Sequence, residues 1–198
     1  MIPFMSDNTA VYTVMALAAA AAALAARQLL RGAPADSAPA GGRAREKFGP
    51  NVRLRDLYRL AVKLEEDGAA FYLRLAEKAR DPEAGKLCAR LAEAETGHRA
   101  LFLARLERWR DLPPNRAEWP ALLAKARAEG FFADPPADGA AEEEMAAYAI
   151  RQERLSADFY RMFEEAFPDA WKKEKLRDLA DQELAHESQL RAAYPGVK

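Results

Sequence analysis

An all-α four-helix bundle, with a long crossover between its second and third helices, is the fold that this sequence predicts. Three observations carry that reading. Ala, Leu, Glu, Arg and Lys dominate the chain while Val, Ile and Thr are scarce, so helices have abundant material and a sheet has little. Four stretches place apolar residues at alternating steps of three and four, one stripe along one helix face. The pattern also repeats: adding 88 to Glu65, Tyr72, Glu95 and His98 gives Glu153, Tyr160, Glu183 and His186. Four positions with one offset mark a doubled helical hairpin.

The chain opens with nine residues that include Asp7 and no Lys or Arg. Residues 10–26 are then uncharged and almost wholly apolar. That length is the short end of a membrane span, extended if Arg27 and Gln28 sit at the interface. An N-terminal transmembrane helix, within an anchor over residues 1–31, is therefore expected. Arg27, Arg31, Arg43, Arg45 and Lys47 follow it, and this positive flank predicts a single pass with everything after residue 31 on the cytoplasmic side. A cleaved signal peptide is the main rival, although its basic leading region is missing; an Ala-rich soluble or partner helix is the other. Residues 32–50 are rich in Gly, Ala and Pro with no apolar period, and read as a flexible tether.

The bundle is expected over residues 51–198. Leu54, Tyr58, Ala61, Glu65, Gly68, Tyr72 and Leu75 form the first stripe. Asp81 and Pro82 stop that helix and start the next, as N-cap and first helical residue. Cys88, Leu91, Glu95, His98, Phe102, Leu106 and Trp109 form the second stripe, antiparallel to the first across so short a turn. From Asp111 to Gly139 the pattern breaks at Pro113, Pro114, Pro120, Gly130, Pro135 and Pro136, leaving room for one short helix from Pro120 to about Glu129. A connection this long carries the chain back along the bundle. The third stripe is Ala146, Ala149, Glu153, Ser156, Tyr160 and Phe163, ended by Pro168. Asp169 caps the fourth, which runs through Leu176, Leu179, Glu183, His186, Leu190 and Ala193. Two tight hairpins joined by one crossover make a ferritin-like four-helix bundle.

Composition removes several functions. The chain carries 31 acidic and 30 basic residues, a net charge of −1, against the basic surplus of a nucleic-acid binder. Cys88 is the sole cysteine, which excludes an internal disulfide, a zinc ribbon and a cysteine-held iron centre; it reads as a small buried hydrophobe. The chemistry lies in Glu65, Glu95, Glu153 and Glu183, because they sit on apolar stripes. Four unpaired carboxylates inside a bundle cost several kcal/mol each. Two divalent cations balance four negative charges, and His98 and His186, the only histidines, complete the ligand set. Glu and His three apart on a helix point the same way and can grip one ion. Oxygen-rich ligation with one imidazole per metal suits iron or manganese better than zinc or copper. Tyr72 and Tyr160 share the stripes and are expected to hydrogen-bond and orient carboxylates from facing helices. A metal-free network of Glu, Tyr and His is the plainer alternative.

Leu64 to Ala79 followed by Glu95-x-x-His98, then Gln152 to Tyr160 followed by Glu183-x-x-His186, resembles the di-iron domain of the rubrerythrin family over roughly residues 54–193. The resemblance implies Glu65 and Glu153 as ligands from the first and third helices, Glu95 and Glu183 as further carboxylates, and His98 and His186 each on one of two iron ions. It implies an oxidoreductase that reduces hydrogen peroxide, or oxidises ferrous iron as relatives do. Members often dimerise, although no distinct seam for a homodimer stands out in these stripes. Rubrerythrins proper carry a rubredoxin module held by four cysteines. This chain cannot build one, so its electrons come from a separate donor. The family also has a further glutamate one turn after the third-helix ligand, where this chain has Ser156.

A membrane-tethered di-iron oxidoreductase acting on peroxide, dioxygen or ferrous iron is thus the leading expectation. A non-enzymatic iron-binding or iron-delivery module at the membrane uses the same residues and is the alternative. A purely structural bundle is the third.

Overall fold

The computed structural model describes residues 40–107, 118–167 and 170–197. Six helices occupy them: α1 (Gly42–Phe48), α2 (Leu54–Lys78), α3 (Pro82–Glu107), α4 (Trp119–Ala128), α5 (Glu142–Glu165) and α6 (Ala170–Ala193). The described residues are all-α, as expected, and α2, α3, α5 and α6 are the four long helices among them. Hairpins α2–α3 and α5–α6 are the most closely packed pairs; α2 also faces α5, and α3 faces α6. The expected anchor over residues 1–31, Trp109, and the turn at Pro168 and Asp169 lie outside the described residues. No helix among those described is long and apolar enough to cross a membrane.

Local chemistry explains the helix ends. Asp56, three residues into α2 and fully buried, accepts a 3.0 Å hydrogen bond from the Arg53 backbone N–H at the N-cap. Asp81 Oδ1 accepts from the Glu83 N–H at 3.1 Å and starts α3, with Pro82 in its first position. Three glutamates, Glu142, Glu143 and Glu144, occupy the first turn of α5, where the helix dipole favours negative charge, and Arg80 reaches across to the first two. In the crossover, α4 begins one residue earlier than the sequence suggested, at Trp119, with Pro120 in its first turn. The guanidinium of Arg59 stacks on Trp119 at 4.4 Å. Beyond α4, Gly130 takes φ 89°, a left-handed conformation that few other residues adopt, and turns Phe131 and Phe132 into the core.

The expected tether is corrected from residue 40 onward. Gly42–Phe48 is helical, and Ala40, Ala44, Phe48 and Val52 are buried in the main core. Arg43 pairs with Glu165 of α5 at 2.7 Å, and the Phe48 carbonyl accepts from Lys125 Nζ at 3.1 Å. The sequence hid this because Ala40, Ala44, Phe48 and Val52, spaced by four, lie among Gly, Pro and charged residues that suggest no helix.

Two apolar clusters fill the bundle. One gathers Tyr58, Phe102, Phe159, Phe163 and Phe167 with α1 and the crossover phenylalanines. The other gathers Phe71, Tyr72, Cys88, Met145, Ile150 and Leu190 toward the opposite end. Phe163 meets Tyr58 edge-on at 5.0 Å and Phe167 at 5.2 Å, and is fully buried. Phe163→Ala is expected to lower unfolding free energy by about 3–5 kcal/mol, through lost transfer energy and a cavity the stacked rings cannot fill. A denaturant titration monitoring helical circular dichroism checks this.

Candidate metal centre

Each of the four long helices leaves one cluster and enters the other at the same level, and that level carries the polar side chains. On α2 the first cluster ends at Leu64 and the second begins at Phe71, with Glu65 between. On α3, Glu95 and His98 fall between Ala92 and Phe102; on α5, Glu153 lies between Ile150 and Ala157. On α6, Glu183 and His186 fall between Ala180 and Leu190. All six expected ligands converge there, and none is more than 9% exposed.

Their atoms form two overlapping groups. Glu65, Glu95, His98 and Glu183 make one, and Glu95, Glu153, Glu183 and His186 the other, with ligand atoms inside each group within 4.8 Å of one another. Glu95 and Glu183 belong to both. His98 Nδ1 lies 3.2 Å from Glu65 Oε2, 3.2 Å from Glu183 Oε1 and 3.7 Å from Glu95 Oε2. His186 Nδ1 lies 3.6 Å from Glu95 Oε1 and 3.6 Å from Glu153 Oε2. The two imidazoles are nearly parallel, with centroids 6.1 Å apart. The two tyrosines reach across the halves: Tyr72 of the first donates to Glu153 of the second, and Tyr160 of the second donates to Glu65 of the first.

The electrostatics are those of a cation site. Burial, followed by the neighbouring Glu95 charge, pushes the Glu65 and Glu183 carboxyls well above the ordinary range. Burial opposes ionisation of Glu95 as well, but its polar neighbours Glu65, His186 and His98 outweigh that and hold it below the ordinary range. Burial lowers the affinity of both imidazoles for protons, yet the surrounding carboxylates reverse the effect. His98 ends well above its usual value, and His186 rises to about 10. Burial and the Glu153 charge raise the Tyr72 hydroxyl, which keeps it a donor. Glu95 Oε1, Glu153 Oε2, Glu183 Oε1 and His186 Nδ1 are buried without a hydrogen-bond partner. Such groups cost roughly 1–3 kcal/mol each when neutral and more when charged, so this donor set fits metal ions between the two groups.

A family model described as Rubrerythrin matches residues 56–194. The chain belongs to the rubrerythrin family. The rubrerythrin match spans both halves of the duplication and every one of the six candidate ligands. Among solved structures, the chain is similar to a hypothetical protein from Pyrococcus furiosus at 26% identity, over 72% of this chain and 88% of that one, with a TM-score of 0.57. No curated protein matches it.

Two residues of this rubrerythrin centre escape a reading of stripes. Gln182 Oε1 lies 3.2 Å from His98 Nε2, so it can accept from that nitrogen while Nδ1 faces the carboxylates. A metal-binding histidine is commonly oriented by such a partner. Its place beside Glu183 was the available signal, but it lies off the apolar stripe. Gly68 lies one turn after Glu65, and a Cβ there would lie 3.4 Å from Glu95 Cγ. The glycine leaves Glu95 room against α2. Ser156, at the matching position 88 residues on, is buried and likewise small, so neither half places a further carboxylate one turn after its first ligand.

Gly68→Ala fits at ordinary van der Waals contact and should stabilise α2 by about 0.5–1 kcal/mol, whereas Gly68→Val should displace Glu95 and reduce metal content, measured by elemental analysis. In the metal-free protein the raised groups, Glu65, Glu183, His98 and His186, favour the fold most at low pH. For His186, that contribution is complete below 6.5 and is lost as pH rises through about 10. Metal competes with the same protons, so loading should release them and its affinity should fall as pH falls. Melting curves from pH 6 to 10, with and without metal, should therefore diverge: the metal-free midpoint falls and the stabilisation by metal grows.

Proposed function

We propose that this protein is a di-iron oxidoreductase of rubrerythrin type that reduces hydrogen peroxide, with oxidation of ferrous iron as the nearest variant. One observation carries the reading: two four-residue ligand groups that share Glu95 and Glu183. That sharing suits two ions held close together, to which Glu95 and Glu183 would both contribute. Oxygen-rich sets with one imidazole each favour iron, with manganese next. When bound, a ferrous pair supplies the two electrons that peroxide reduction requires.

The chain's own residues do the rest. Glu65 with His98 would hold one ion and Glu153 with His186 the other, while Glu95 and Glu183 serve both. Tyr72 and Tyr160 fix the rotamers of Glu153 and Glu65, and Gln182 fixes the ring of His98. The two apolar clusters bound the polar layer and limit bulk water, which strengthens every charge interaction inside it. Cys88 alone cannot hold a rubredoxin iron, so a separate electron-donor protein would restore the ferrous state. Residues 10–26 would tether the bundle to the cytoplasmic face of a membrane as a single-pass anchor, and a homodimer remains part of the proposal.

The small residues Gly68 and Ser156 favour a second reading, an iron-binding or iron-delivery module without turnover, because no further carboxylate is placed to exchange at either ion. Rapid mixing separates the two. The anaerobic ferrous protein should be oxidised by hydrogen peroxide about tenfold or more faster than by dioxygen, with multiple turnovers when a reductant is supplied. Equal slow rates with both oxidants would sink the peroxidase reading, and iron binding without turnover would establish the second. The His98→Ala, His186→Ala double variant should lose most bound iron and all turnover while keeping its helical circular dichroism.

A further inference from the structure

A cavity of about 330 Å³ lies between α2, α5 and the residues after α4. The buried residues Glu95, Glu153 and Tyr72 form its floor, so it opens onto the metal-site carboxylates from one side. Peroxide or dioxygen needs little more than the space of one or two waters, about 30 Å³ each. The cavity is several times larger and falls in the range of pockets that hold organic ligands. Its walls are apolar and largely aromatic: Phe71, Phe131, Phe132 and Ala149 are buried, and Tyr148 packs on Phe71 at 4.7 Å.

The charges in the cavity are segregated. Its acids lie deep, at Glu95 and Glu153, while Lys63, Arg74 and Arg127 stand at the more exposed rim with Asp67. Lys63 pairs with Asp67 at 2.5 Å and Arg74 with Asp138 at 2.9 Å. Arg127, exposed on α4, enters no ion pair among the described residues. The cavity's fixed positive charges stand at the rim and its acids lie deep, so an anionic molecule is favoured with its carboxylate at the rim and its apolar body inward.

We propose that this cavity binds a small organic carboxylate, aryl or branched alkyl, with its carboxylate at Arg127 and its far end against Tyr72 and the Glu95 and Glu153 side chains. The metal-site assignment of that floor rests on the function proposed above; the binding itself does not. The site would thereby take an organic molecule as well as peroxide.

Calorimetric titration of the full-length metal-free protein with 4-isopropylbenzoate tests this, with 4-isopropylbenzyl alcohol as the neutral analogue. Saturable one-to-one binding is expected, about tenfold weaker for the alcohol and for Arg127→Glu. Ala70→Trp, an exposed position at the rim, should block entry and abolish binding with an unchanged melting temperature. Absence of saturable binding overturns the proposal, as does equal affinity for acid and alcohol, or affinity unchanged in both variants. Iron content and peroxide turnover of the loaded wild type, measured in parallel, report on the function above independently of this outcome.

Discussion

Everything in this bundle answers to one electrostatic constraint: four glutamates are held in a layer between two apolar clusters. Burying a carboxylate without a partner is among the most expensive arrangements a protein can adopt. Without metal, protons on the raised groups relieve part of the charge, which is why both histidines and two of the glutamates are shifted upward. The relief is incomplete, since three carboxylate oxygens and one imidazole nitrogen are left without hydrogen-bond partners. Two divalent cations would relieve both problems together, neutralising charge and engaging those unpartnered atoms.

The remaining architecture can be understood as support for that layer. Apolar packing above and below holds the carboxylates in one layer, which leaves the cavity beside α2 and α5 as their approach from outside. The long crossover permits the second hairpin to repeat the direction of the first, so equivalent residues meet about a shared centre. Its phenylalanines then pack on one flank of the bundle, and α1 covers part of the first cluster.

Much of this was legible in the residues. The offset of 88 picked out the six side chains that converge in the polar layer and both tyrosines, since duplication and helical period are properties of sequence alone. The short helix after Trp119 was legible too, because proline at the first turn is a local signal. Other parts depend on contacts that no local pattern encodes. Residues 40–50 looked like a tether because Gly, Ala and Pro dominate there, yet Phe48 and Val52 find the core only once the bundle exists. Gln182 escaped because it lies off the apolar stripe, and its role requires knowing how His98 turns its ring. The meaning of Gly68 depends on the approach of Glu95 from another helix. The cavity is less legible still, for its lining comes from α2, α3, α5 and the residues around the end of α4.

The crossed tyrosine bonds have a mechanical consequence. Tyr72 and Tyr160 each reach from one hairpin to a glutamate of the other, so together they act as two dowels fixing the axial alignment of the halves. A slip of one hairpin past its neighbour by a single turn, about 5.4 Å, would shear both at once and strand two buried acids. Axial register between the halves is thereby tied to the same two acids that line the site.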